Sequence, residues 1–224
     1  RAYVRGSESV GPYVVDAGDW RVSRDGLPFD VHNATVDQYT TASGPVSSFT
    51  ADQLKAMTVD CSTWFGFGEV DQVGILTPQQ VFPPLKGRFL SPEPKDTPSA
   101  EYLAEYLSGM NMQDQCLVTT FIDSHAAVFS AKGFTFLGRN VAAGAEHATL
   151  AGANGPARAS ELRALGFRYA AVDVADSNCA GALRTLKAAG ILVGLYTSST
   201  PLCRQHQKAE LDLLYAPEFY ASED

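Results

Sequence analysis

A chain of 224 residues with 45% hydrophobic and 19% charged residues is long enough for one large domain with its own core, and this composition excludes a disordered tail. No run approaches the roughly 18 apolar residues that a membrane-spanning helix requires. The net charge of −8, with acidic residues scattered along the chain, argues against a nucleic-acid partner, because surfaces that bind a phosphate backbone carry excess Lys and Arg.

From Tyr13 onward, short runs of β-branched and aromatic residues alternate with helix-like segments, the pattern of a mostly parallel sheet with crossover helices. Strands are expected at 13–17 (YVVDA) and 29–32 (FDVH). Thr50 caps a helix over ADQLKAM, and Thr77 caps another in which Pro78 takes the first helical position. A strand at 88–90 precedes a helix opened by Ser99, and a strand at 116–121 precedes one opened by Asp123 and closed by Gly133. A strand at 134–138 leads into the Ala/Gly-rich stretch 140–157, expected to be a long loop or a poorly packed helix. Helices at 159–166 and 180–190, each closed by Gly, alternate with strands at 169–174 and 191–196, and a last strand is expected at 211–215. Eight strands in this order predict a TIM-type (β/α)₈ barrel, a single domain over residues 1–224.

In such a barrel chemistry gathers at the carboxyl ends of the strands. The polar residues placed there are Asp16, Asp19, His32, Glu93, Lys95, Thr119 and Thr120. Trp20 and Trp64 are expected to anchor loops over the barrel mouth, and His125, His147 and His206 lack a second plausible ligand nearby in sequence. Cys61, Cys116, Cys179 and Cys203 show no CxxC spacing; they can form up to two disulfides, by any of three pairings, or none. Asn33 opens the chain's one N-x-Ser/Thr sequon, and a glycan there would stand beside His32. Four cysteines and a sequon favour an extracellular or secretory setting. The chain opens at Arg1 with neither an initiator Met nor a signal peptide, as expected of a processed or truncated product.

The ordered series DWRVSRDGLPFDVHNATVDQYTTASG, TADQLKAM, ILTPQQVF, LSPEPK, CLVTTFID and AAGILVGLYTSS resembles the glycerophosphodiester phosphodiesterase family from about residue 13 to residue 200. The resemblance implies a (β/α)₈ barrel with one divalent cation, Ca²⁺ or Mg²⁺, and a phosphoric diester hydrolase that splits a small glycerophosphodiester into glycerol 3-phosphate and an alcohol. Position by position, it puts Asp19 and Glu93 on the metal ligands, His32 on the second catalytic histidine and Lys95 on the phosphate-contacting lysine. The logic is physical as well: a phosphodiester needs its non-bridging oxygens neutralised and its leaving alkoxide protonated.

The sequence also departs from the family pattern. Val4 stands in "YVRGSES" where the family's first catalytic histidine would precede Arg-Gly, and too few residues follow to hold the first helix; the first βα unit is either lost or upstream. Ala17 replaces the acidic residue two before Asp19, and Asp16 can serve in its place only across a β-bulge. Asn33 follows His32 where the family has Asp, and Tyr196 stands for a late Trp. Two main readings are therefore open: a metal-dependent phosphodiesterase using Asp19, Glu93, Asp16, His32 and Lys95, or a catalytically inactive barrel serving as a structural or binding subunit, with protein partners covering its incomplete wall. A sugar-binding barrel is a third, resting on the fold's general habits alone.

Overall fold

The computed structural model describes residues 15–38, 40–59 and 73–196. They fall into two compact units, Arg1–Val118 with Ala131–Gly133, and Thr119–Ser130 with Phe134–Asp224. The expected strand at 211–215 lies outside the described residues, as do Val4, Cys61, Trp64, Cys203 and His206.

The first unit runs β1 (Val15–Val22), β2 (Pro28–Asp30), α1 (Ala51–Ala56), β3 (Thr58–Val59), β4 (Val73–Gly74), α2 (Pro78–Val81), β5 (Leu90–Pro94) and α3 (Thr97–Gly109). β1 is the centre of a three-stranded sheet of order β2-β1-β5, parallel to β5 and antiparallel to β2. The return is antiparallel because the turn is too short for a crossover helix. Ser23 N–H donates to Leu27 O at 2.9 Å, and Gly26 takes φ 88° in the Asp-Gly turn. The strand expected over 29–32 is thus a hairpin arm ending at Asp30, and His32 lies beyond it. Nothing in the residue pattern announces β3 and β4, which pair antiparallel over two residues each.

The expected caps at Thr50 and Thr77 are present: Thr50 N–H donates to Gln53 Oε1 at 2.8 Å and Thr77 N–H to Gln80 Oε1 at 2.9 Å. For α3 the start moves. Asp96, not Ser99, is the cap, accepting from Ser99 N–H at 2.8 Å, because Pro98 suits the first turn and Ser99 is the far partner of the capping box. Leu103 and Leu107, one turn apart, are fully buried with Leu85, Leu90 and Met112. Trp20 belongs to this core and not to a mouth loop: it is fully buried in β1, its ring centroid 5.2 Å from that of Phe82, and its Nε1–H donates to Ala17 O at 2.9 Å. Phe29 of β2 packs in a further core cluster with Val31, Val36, Val46, Ala51, Leu54 and Ile75.

The second unit comprises β6 (Val118–Thr120), which begins at the boundary, α4 (His125–Ser130), β7 (Leu137–Val141), α5 (Ala145–Ala151), α6 (Gly155–Ala164), β8 (Phe167–Asp173), α7 (Cys179–Ala188) and β9 (Leu192–Tyr196). The sheet order is β6-β7-β8-β9, with β7, β8 and β9 mutually parallel. The strand expected at 134–138 begins at Leu137, because Phe134 is claimed by an edge-to-face contact with Phe129 of α4, centroids 5.1 Å apart. The stretch 140–157 is neither a loop nor a loose helix; it holds the end of β7, all of α5 and the start of α6. Its small residues serve close packing. A Cβ on Gly181 of α7 would stand 2.6 Å from the Ala151 Cβ of α5, and one on Gly155 would meet Leu150 O at 2.1 Å.

Candidate functional site

The candidate site is built on the β1–β5 ladder. Asp16 pairs with Ser91 and Asp19 with Glu93, so three steps along β1 match two along β5, and Ala17–Gly18 form a bulge. Paired residues in a ladder face the same side, and so do residues two apart on one strand. The bulge therefore sets Asp16 and Asp19 on the face of Glu93, while Ala17 is buried elsewhere. The bulge that the residue pattern requires near Ala17 is therefore present.

Local contacts fix the bulge. Gly18 has φ 89°, and its N–H donates to Asp16 Oδ1 at 3.1 Å. Asp19 N–H donates to Asp30 Oδ1 at 3.0 Å, so the last residue of β2 clamps the backbone next to Asp19. The sequence offers no signal for this role of Asp30, because it depends on a bulge formed by residues far from it along the chain.

Lys95, just past β5, closes the arrangement. Its Nζ stands 2.8 Å from Asp19 Oδ1 and also contacts Glu93 Oε1. The lysine side chain is 10% exposed, against 26% for Asp19 and 16% for Glu93, which separates this triad from an ordinary solvated ion pair. Burial raises the Glu93 carboxyl above its usual range, with the Lys95 hydrogen bond and charge opposing. Asp16 is raised too: desolvation by the surrounding protein leads, the Gly18 N–H opposes it, and the Asp19 charge adds to it. Asp16 still reaches solvent at its residue surface.

His32 is exposed and follows Val31, whose backbone N–H donates to Asp19 O at 2.7 Å, which keeps it beside β1 next to Asp19. Its Nδ1 lies 2.9 Å from Asn33 Oδ1, and Asn33 Nδ2 donates in turn to Gln38 Oε1. The nitrogen that a glycan would modify is therefore engaged in a hydrogen bond. Arg21 Nε donates to His32 O at 3.1 Å, adding a cation near this edge that the sequence reading passed over.

Asp16, Asp19 and Glu93 offer the hard oxygens that Ca²⁺ or Mg²⁺ take. Their arrangement does not form a cage. Among the described residues no three His, Cys, Asp or Glu side chains stand together so as to hold a metal ion. The Lys95 ammonium lies between Asp19 and Glu93, and an oxygen of Asp16 is turned to the Gly18 backbone. The residues as arranged do not fit the implied cation.

The other expected positions have structural settings. In the second unit Thr119 and Thr120 are buried on β6, and Thr120 Oγ1 bonds His125 Nδ1 at 2.9 Å. His125 is thus a fully buried core residue. Cys116 is a buried free thiol, pushed up to about 12 by burial, and not half of a disulfide. Cys179 is buried in the first turn of α7. No helix among the described residues is long and apolar enough to cross a membrane.

No protein-family model and no curated protein sequence matches the chain. Solved structures do. A glycerophosphodiester phosphodiesterase from Agrobacterium tumefaciens superposes with a TM-score of 0.66 at 15% identity, over 93% of this chain and 84% of that one. One from Thermotoga maritima gives 0.66 at 16%, over 92% and 82%. An Oleispira antarctica phosphodiesterase in complex with the product sn-glycerol-3-phosphate gives 0.65 at 18%, over 93% and 83%. The chain has the fold of the glycerophosphodiester phosphodiesterases, a TIM-type α/β barrel.

Proposed function

We propose that the chain is a phosphodiesterase-like barrel that takes a small glycerophosphodiester at the Asp19–Glu93–Lys95 edge and hydrolyses it to glycerol 3-phosphate and an alcohol. The observation that supports this reading is the contact of Lys95 with both Asp19 and Glu93 on one face of the β1–β5 ladder, with Asp16 set on that face by the bulge. Lys95 would contact a non-bridging oxygen, with Asp19 and Glu93 holding its ammonium in place. The exposed His32 would protonate the leaving alkoxide, and Asn33 Oδ1 would orient its ring.

The second reading, a catalytically silent barrel used as a binding or structural subunit, is favoured by one specific feature: the Lys95 ammonium is already bonded to two carboxylates and must loosen from them to meet phosphate. Release of glycerol 3-phosphate from glycerophosphocholine separates the two. Turnover by the wild type that falls about 10²–10⁴-fold in His32→Ala, the range for a lost proton-transfer group, supports the enzyme. No release with EDTA, Ca²⁺ or Mg²⁺ leaves the silent barrel.

A further inference from the structure

We infer that Lys95 is the resident cation of this site: its ammonium takes the place between Asp19 and Glu93 where a divalent ion would sit, and so makes the intact protein blind to Ca²⁺ and Mg²⁺. The site is the one proposed above for phosphodiesters, but the inference concerns its cation and holds or fails apart from turnover.

The geometry supplies the argument. Asp19 and Glu93 are ladder partners on one face, brought opposite each other by the parallel register, and two carboxylates so placed repel unless a cation lies between them. Lys95 is two residues beyond Glu93, on the same side of the strand, and its backbone N–H donates to Trp20 O at 2.9 Å, continuing the ladder. The stem is thus anchored by β1 itself, and the ammonium reaches Asp19 at 2.8 Å and the Glu93 carboxylate in the same grip. An ammonium offers three donors without demanding six or more oxygens, which suits two carboxylates better than a hard divalent ion does. Asp16, set on the same face by the bulge, supplies a third carboxylate once the ammonium is gone.

The test is calorimetric titration of chelator-stripped protein with CaCl₂ and MgCl₂, on the wild type, Lys95→Met, Lys95→Arg and the double variant Lys95→Met/Glu93→Gln. The wild type and Lys95→Arg are expected to take up neither ion. Lys95→Met is expected to gain a site with a dissociation constant on the order of 10⁻⁴–10⁻³ M, the weak end for oxygen ligands, and Glu93→Gln in that background to abolish it. Its melting temperature should rise with added Ca²⁺ while that of the wild type stays put. Sub-millimolar binding of either ion to the wild type overturns the inference, whether or not Lys95→Met folds. A folded Lys95→Met, verified by circular dichroism, that binds neither ion overturns it as well. Glycerophosphocholine turnover is read separately: a metal-blind wild type without turnover sinks the proposed function and leaves the resident lysine standing, and a metal-binding wild type with turnover does the reverse.

Discussion

The Asp30 carboxylate fills the space beside Gly18 that any side chain at that position would need. A Cβ on Gly18 would lie 2.7 Å from the Asp30 Cγ and Oδ1, and the Gly18 φ of 89° is one that L side chains rarely adopt. Steric fit and backbone conformation thus restrict the same position, and both protect the register that aligns Asp16 and Asp19 with β5. Gly18→Ala is expected to lower stability by about 1–3 kcal/mol from the backbone conformation alone, before the clash is counted. Urea unfolding measures it; a loss below about 0.5 kcal/mol, the scale of neutral surface changes, would show that the bulge relaxes freely.

In the second unit Arg139 and Arg158 share Asp123 and Glu146. Arg139 Nε meets Asp123 at 2.8 Å, Arg158 Nη1 meets it at 2.7 Å, and Glu146 Oε1 lies 3.1 Å and 3.0 Å from the two guanidinium groups. Desolvation pushes the Asp123 carboxyl up, but the two arginine hydrogen bonds outweigh it and hold it below the usual range. Arg139→Ala is expected to cost about 1.5–3 kcal/mol, the range for hydrogen bonds to charged groups, because the Asp123 side chain is a third exposed and keeps Arg158. The sign with pH follows from the lowered value: the stabilisation is present above the ordinary carboxylate range and is lost as pH falls through the depressed one. The difference between wild type and Arg139→Ala should therefore shrink below about pH 4, which urea titrations at a series of pH values would read.

His147 is buried with both ring nitrogens used. Its Nδ1 lies 2.9 Å from Ala142 O, and its Nε2 accepts the Asp173 N–H at 3.2 Å, so the ring carries its proton on Nδ1 and ties α5 to the end of β8. Nitrogen-15 imidazole spectra should show that tautomer. His147→Ala leaves a buried donor and a buried acceptor unmatched and should cost about 1–3 kcal/mol for each that water does not reach. A neutral outcome would mean that water enters the space.

Asp37 should titrate near 2, because the Ser43 hydroxyl and then Thr35 donate to its carboxylate. Carbon-13 carboxyl shifts followed from pH 5 downward would locate the midpoint, and Ser43→Ala should move it upward. Its contribution to folding is complete above the ordinary carboxylate range and vanishes as pH falls through about 2. A midpoint unchanged by Ser43→Ala would assign the shift to another donor.

What could be read from the residues alone divides along physical lines. The helix caps at Thr50 and Thr77 and the strands β8 and β9 were legible because each depends on residues within a few positions of one another. That Asp19, Glu93 and Lys95 lie near one another was legible through family resemblance, as was the need for a bulge at Ala17. The bonding among them was not: that Lys95 spans Asp19 and Glu93 depends on the parallel register of β1 with β5, which no local pattern encodes. The Ala/Gly-rich stretch around α5 misleads for a related reason. Small residues look like loop material in sequence, and only the approach of Gly181 to Ala151 shows them to be contact surface.

β5 reads Leu-Ser-Pro-Glu-Pro, and its prolines fall on alternate residues. The N–H of Lys95 and the carbonyl of Phe89 point to β1, so positions 90, 92 and 94 point the opposite way, where Leu90 O accepts the Leu117 N–H at 2.8 Å and Leu90 bridges Cys116. Beyond Leu90 that flank can offer carbonyls but no N–H groups. A strand lacking one of its two donor rows is a poor template for an intruding extended segment. Pro92 and Pro94 are buried, so on that flank β5 gives acceptors alone, and whatever pairs there must bring the donors.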